Sequence, residues 1–437
     1  MLSVLRVRAY RHLFFAQVTA LLGTGLATMA LSLLAFDKAG MSAGQVLGTV
    51  LAIKMLAYVL IAPLATAVLD GFSRRFLLVS LDVIRVLAAV LLLFVAETWQ
   101  IYVVIAILQS ASAAFTPLFQ STVPELLPNE DDYTKALSLS RLAYDIENLV
   151  SPILAATLLL IVSGQALFLG TALGFAASAL LVVSVALPNS SRSTDRQKIS
   201  KRLTKGFTIF RFTPRLQSLV ALNVLVSLAG AMVIVNTVVW VQGVMNLGEQ
   251  STALAFAAFG GGSMLAALLI PKAIRRWSDR SVMLVGGALL SVGLVAALMT
   301  DQFLYLLVVW FWLGLGYSTV QTPTGRLLTR SAVTDDRPAL FAAQFSLSHT
   351  GWLVAYPLVG WLGAWAGLQM TLIVLIVLVL CCLGCAIYLW PVNDSPSLAH
   401  THFNLSKDHP HIADTAHRHS HHFVIDHLHQ TWPNNTD

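Results

Sequence analysis

Residues 188–217 read PNSSRSTDRQKISKRLTKGFTIFRFTPRLQ, a polar stretch carrying Arg192, Arg196, Lys198, Lys201, Arg202, Lys205, Arg211 and Arg215. It separates two long apolar halves. Six runs long enough to cross a bilayer precede it, at about 14–36, 44–69, 76–96, 101–122, 136–162 and 166–187. Six more follow, at about 219–244, 253–270, 282–299, 303–327, 339–365 and 370–390. A hydrocarbon core of roughly 30 Å needs about 20 apolar residues per helix. Inside lipid every backbone polar group must be paired within the segment, so repeated runs of this length are helices. The reading is an all-α membrane protein with twelve transmembrane helices in two pseudo-symmetric six-helix halves. Residues 1–187 form the first half, 188–217 a basic linker, 218–391 the second half, and 392–437 a histidine-rich tail expected to be mostly disordered.

Composition leads to the same class. Of 437 residues, 57% are hydrophobic and only 11% charged, with mean hydropathy +0.76, too little charge to cover a soluble protein of this size. The basic start at Arg6, Arg8 and Arg11 followed by the run 14–36 imitates a secretion signal, but the run exceeds the roughly 7 to 15 residues of a signal core. Cys381, Cys382 and Cys385 all fall in the last run, where a disulfide framework is out of place and packing is the plain role. The N-terminus and every second loop hold 21 of the 27 Lys and Arg residues. The positive-inside rule then puts both termini in the cytoplasm of a bacterial inner membrane. The net charge of +6 is therefore topology information, and no nucleic-acid partner is expected.

The halves echo each other. Thr116 and Pro117 recur as Thr322 and Pro323, and Pro152 as Pro357, at separations of 206 and 205 residues. A duplicated six-helix unit explains both, and such repeats place transport sites near the bilayer midplane between two rocking halves. No phosphate loop G-x-x-x-x-G-K-[ST], nucleophile constellation or fixed metal-water site is found, so the expectation is a carrier not powered by ATP within this chain, and not an enzyme.

Between the second and third runs stand Asp70, Gly71, Phe72, Ser73, Arg74 and Arg75. They resemble the G-x-L-A-D-R-x-G-R-R loop of the major facilitator superfamily, with Asp70, Arg74 and Arg75 matching in spacing, Thr66 in place of the first Gly and Gly71 in place of Arg. The resemblance implies the major facilitator fold and a conformational latch made by Asp70, Arg74 and Arg75. The eleventh helix, opening near Asp335, Asp336, Arg337 and Pro338, is the expected partner of Asp70, with anchoring of the loop as the plain alternative for the arginines. Glu147, Ser151, Pro152, Ala155 and Ala156 are spaced like the family's antiporter motif G-x-x-x-G-P-x-x-G-G, with only the proline identical and Glu147 the largest departure. Three further stretches narrow the resemblance to bacterial nickel-resistance exporters: residues 321–328, residues 337–345 with Ser348 and His349, and a histidine-rich tail ending in Phe423, Val424, Ile425 and Asp426.

Ten of the twelve histidines lie in that tail: His400, His402, His409, His411, His417, His419, His421, His422, His427 and His429. Most form H-x-H units, and in an extended chain residues i and i+2 share a face, so paired imidazoles can converge on one ion. Imidazole suits Ni2+, Co2+ and Zn2+, and the tail contains no thiol for softer ions. No tightly bound cofactor is expected; a divalent metal, Ni2+ with Co2+ or Zn2+ as further candidates, enters as cargo or tail ligand.

Within the runs, each ionisable group is expensive in hydrocarbon and is a candidate by default. Asp82 with Arg85 and Arg141 with Asp145 are spaced to neutralise themselves along one helix. Glu147 has no partner in its own helix, and His349 falls beside Asp145 when the halves are superposed through Pro152 and Pro357. Asp145, Glu147 and His349 are therefore the candidates for the pathway or for proton coupling, against the plain reading of a histidine bonded to a backbone carbonyl. Lys54 is expected to meet an acid. Proton-coupled export of Ni2+, with Co2+ as a further candidate, is the first functional expectation, with metal ion, proton and lipid bilayer as partners and a monomer as the assembly. Export of a small organic molecule, such as a drug, siderophore or metal chelate, with a regulatory metal-binding tail, is the second. A metal sensor that moves nothing is the third, since a duplicated bundle is more than a sensor needs.

Overall fold

A computed structural model describes residues 2–68, 73–187, 196–333, 336–394, 397–401 and 418–425, with 429 and 432. The first half contains α1 (Arg8–Ala39), α2 (Ala43–Val68), α3 (Arg74–Leu91), α4 (Thr98–Leu126), α5 (Glu130–Leu158) and α6 (Leu167–Val183). The linker contributes α7 (Arg196–Phe212). The second half contains α8 (Pro214–Val238), α9 (Glu249–Ala273), α10 (Asp279–Ala297), α11 (Phe303–Gln321), the short α12 (Thr324–Thr329) and α13 (Arg337–Leu389).

Among the described residues, eight stretches are long and apolar enough to span a membrane by length and composition. Two of them are double passes. Arg8–Ile61 joins α1 to α2 through a single 3-10 turn, and Ala339–Leu389 folds back within α13. The break in α13 is Gly367, at φ +80° and ψ 168°, a backbone region essentially restricted to glycine. With α5 and the 17-residue α6, every one of the twelve apolar runs has its helix. Large apolar side chains such as Leu173, Trp365 and Tyr388 stay exposed on the outside, as expected where the solvent is hydrocarbon.

The duplication extends to the caps. Ser73 caps α3 by accepting the N–H of Phe76, and Ser278, 205 positions on, caps α10 by accepting the N–H of Ser281. A side-chain oxygen at this position satisfies one of the orphan amides of a helix start.

The linker differs from a plain loop. Over Arg196–Phe212 it is a helix, and its Gly206 lies so close to the start of α13 that a Cβ there would sit 2.2 Å from the Ala339 carbonyl. Lys205 pairs with Asp336 at 2.6 Å. Proline at the first turn lets α8 start at Pro214, ahead of the expected start at 219. Arg215 is thereby drawn out of the linker into a buried network. In the tail, β1 (Ser397–Thr401) and β2 (Arg418–His422) pair antiparallel, and Phe423, Val424 and Ile425 are buried. The expectation of a mostly disordered tail otherwise falls on residues outside the described ones.

The halves meet at the face away from the basic loops. Three hydrogen bonds join them among the described residues: Gly164 N–H to Glu249 at 2.9 Å, Gln250 Nε2 to the Leu159 carbonyl at 3.0 Å, and Trp361 Nε1 to Thr49 Oγ1 at 3.2 Å. Close backbone approach supports them. A Cβ on Gly360 of α13 would lie 2.1 Å from the Gly44 carbonyl of α2, and one on Gly48 would lie 2.5 Å from the Tyr356 carbonyl. A six-residue π-helical turn, Val239–Val244, ends α8 at this closure, where Gly243 faces Phe36 and Met41. The passage between the halves is therefore closed opposite the basic loops.

Candidate functional site

Four side chains from three helices meet between the halves: Lys54 and Tyr58 of α2, Glu147 of α5 and His349 of α13. Lys54 and Tyr58 are one turn apart and so share a face. Lys54 neighbours Glu147 within its own half and His349 of the other half. Among the described residues no direct ion pair joins Lys54 to Glu147. The Tyr58 hydroxyl lies near the side chain of Thr116, one of the residues repeated between the halves.

Glu147 owes its place to small residues. One turn further along α5, Ser151 packs against Gly25 of α1; a Cβ on Gly25 would lie 2.1 Å from Ser151 Oγ and 3.6 Å from Glu147 Cγ. Close contact of α1 with α5 thus sets the carboxylate facing α2. The small residues noted in the sequence around Pro152 serve this packing.

His349 satisfies the plain reading and keeps a second capacity. Its Nδ1 lies 2.7 Å from the Phe345 carbonyl. A carbonyl only accepts, so Nδ1 carries the hydrogen, and in the neutral ring Nε2 holds a free lone pair. The ring stacks on Phe345 of its own helix at 3.8 Å and on Tyr58 of the other half at 5.9 Å between centroids. This aromatic contact crosses the gap between halves at the depth of Lys54.

The remaining candidates divide clearly. Asp82 and Arg85 do neutralise each other, with Ser178 donating to Asp82 at 2.8 Å and the rings of Phe115 and Phe175 at 4.0 and 4.6 Å from the guanidinium. The side chains of Arg141 and Asp145 lie outside the described residues, as does Asp70. Arg74 donates to Thr122 at 3.2 Å and pairs with Glu125, and Arg75 donates to the Val183 carbonyl, all within the first half. Asp336, near the expected latch partner, pairs with Lys205 of α7.

In the tail, strand register sets His400 opposite His419 and Leu398 opposite His421. His429 is buried, with its ring 4.7 Å from that of Phe423. His402, His409, His411, His417 and His427 lie outside the described residues, and of His400, His419, His421 and His422 only the backbone is described. No group of three or more His, Cys, Asp or Glu able to hold a metal occurs among the described residues.

Sequence reasoning missed Tyr58 as a site residue, and it missed a charge cluster on the basic face of the second half. Buried Arg215 donates to Ser331 at 2.8 Å and to Asp394 at 3.0 Å. Arg330 bridges Asp394 and Asp279, and Arg326 faces Asp279 at 3.6 Å. The available signal was the repeat itself. Asp279 stands 205 residues after Arg74, so this cluster is the second-half counterpart of the loop that the sequence flagged only in the first.

The Major Facilitator Superfamily profile matches residues 13–272 and 219–409. An uncharacterized MFS-type transporter, YfiS of Bacillus subtilis (strain 168), is 26% identical over 127 residues, a segment covering 29% of this chain and 30% of that protein. Among solved structures, a bacterial homolog of the human lysosomal transporter Spinster, inward-facing and unoccupied, superposes with TM-score 0.69 at 13% identity, covering 88% of this chain and 97% of its own. The nucleoside transporter NupG superposes with TM-score 0.66 at 13% identity, covering 87% and 98%.

Proposed function

Because the chain belongs to the Major Facilitator Superfamily, we propose that it is a secondary active efflux transporter that exports a divalent metal cation, Ni2+ with Co2+ as a further candidate, by proton-coupled alternating access, and so confers metal resistance. The observation that carries this reading is the stacking of Tyr58, one turn from Lys54, on His349 of the other half, which places an imidazole with a free Nε2 between the two halves. With the basic face in the cytoplasm of a bacterial inner membrane, the contacts at the opposite face lie on the outer side.

The chemistry follows from charge balance. An ammonium held between a carboxylate and an imidazole neutralises the site when no cargo is present. A dication arriving at the Glu147 carboxylate and His349 Nε2 would be opposed by an ammonium on Lys54, since like charges repel in a poorly solvated space. Entry of the metal therefore expels protons from the site, and reprotonation from the acidic side expels the metal. One site that holds either protons or metal is an antiporter. The histidine-rich tail would collect metal at the cytoplasmic mouth, and the resemblance to nickel-resistance exporters points to the same cargo.

Aromatic lining favours a second reading. Tyr58 and Phe345 enclose His349, and flat surfaces of this kind also suit an organic cation or a metal chelate. Cellular nickel in a metal-sensitive bacterium separates the two readings. Cells expressing the chain should accumulate less nickel than cells without it, and a chain cut after Asp394 should still lower it. Unchanged nickel with both forms would select the organic cargo.

A further inference from the structure

A cleft of about 580 Å³ opens on the basic face of the second half, lined by Arg326, Arg330, Arg337, Thr329, Val333 and Val424 of the tail, among others. Among the described residues its charge is unbalanced. Asp394 is occupied by Arg215 and Arg330, Asp279 by Arg330 and Arg326, and the neighbouring Asp336 by Lys205. Arg337 pairs with no carboxylate among the described residues, and its Nε is buried without a hydrogen-bond partner. A buried, unpaired guanidinium edge is costly unless an anion meets it. Arg326, 54% exposed along its side chain, leaves the approach open.

The rim is apolar. Val333 is 44% exposed, and Phe341, one turn beyond Arg337 on the same helical face, is 43% exposed. Trp277, 62% exposed in the turn after α9, lies on the same basic face, as suits a tryptophan at a membrane interface. An occupant that satisfies both parts carries a phosphate for the guanidinium forks and a hydrocarbon chain for Val333 and Phe341.

We propose that this cleft binds the phosphodiester headgroup of an anionic phospholipid, with Arg337 and Arg326 on the phosphate oxygens and an acyl chain lying over Val333 and Phe341. Bound lipid would brace the first turn of α13, the helix that carries His349, and so tie the second half to the composition of its leaflet. The inference is independent of the cargo.

Native mass spectrometry of the full chain in detergent tests it, with dioleoyl phosphatidylglycerol, dioleoyl phosphatidylcholine or inorganic phosphate as probe. Wild type should retain phosphatidylglycerol about tenfold better than phosphatidylcholine, and Arg337→Gln should lose about fivefold to tenfold of that retention. Arg275→Gln, which removes an exposed charge of the same face outside the cleft, should leave it unchanged. Equal loss in Arg275→Gln would mean a diffuse basic surface, and equal retention of both lipids in wild type would remove the charge argument; either overturns the proposal. Displacement of the lipid by millimolar phosphate would show a site for free anions and would overturn the lipid assignment.

Discussion

The Glu249 carboxylate, in the first turn of α9, accepts the backbone N–H of Gly164 at 2.9 Å and so ties the loop before α6 to the second half. A carboxylate at a helix start is favoured by the helix dipole, and a charged acceptor strengthens the bond to an amide. The same contact must break when the closed face opens. Glu249→Ala is expected to favour the opened state by about 1 to 2 kcal/mol, or roughly fivefold to thirtyfold in population. Distances between spin labels on residues 163 and 250 would register the shift, and an unchanged distribution would exclude the contact as a latch.

Gly360 makes a sharper test of the same closure. Its Cβ would meet the Gly44 carbonyl at 2.1 Å, and that atom is backbone with nowhere to go. Gly360→Val should penalise closure by about 1 to 3 kcal/mol while leaving the opened state free of the clash. Transport should fall while folding, read by thermal unfolding in detergent, is retained.

Arg215 and Asp394 join the start of α8 to the end of α13 in a buried pair. Asp394→Asn leaves a buried guanidinium uncompensated, and a loss of about 3 to 5 kcal/mol is expected. A chain ending after residue 393 should lose the same stability, whereas one ending after Asp394 should keep the contribution of the ion pair and lose only the packing of the tail. Thermal midpoints of the two truncations check this directly.

The tail is anchored by apolar contact as well as carrying histidines. Phe423 is 2% exposed, its ring 5.0 Å from Trp432, which in turn lies 4.9 Å from the Arg215 guanidinium. Phe423→Ala should cost about 3 kcal/mol of this docking. Limited proteolysis should then cut the tail faster, with the bundle intact.

Much of this was legible in the sequence because the bilayer imposes so few solutions. Run length and hydropathy fix the helices, proline spacing exposes the repeat, and the basic linker marks the midpoint. Less legible was whatever depends on contact between halves. Nothing in the local sequence of Tyr58 distinguishes it from a packing aromatic, because its value comes from stacking on His349 nearly three hundred positions away. Lys54 was expected to meet an acid, and Glu147 is its neighbour, but its proximity to His349 needed the second half in place. The cluster around Arg215 was hidden because Arg215 reads as part of a run of linker charges. Only the burial of the first turn of α8 separates it from its neighbours.

The central claim is that protons and cargo compete for the site between Lys54, Glu147 and His349. Proteoliposomes containing the full chain and a pH-sensitive dye test it most directly, with a nickel gradient imposed across the bilayer. The account predicts proton movement opposite to nickel in wild type and its loss in Glu147→Gln. Nickel-driven proton movement that persists unchanged in Glu147→Gln would contradict it.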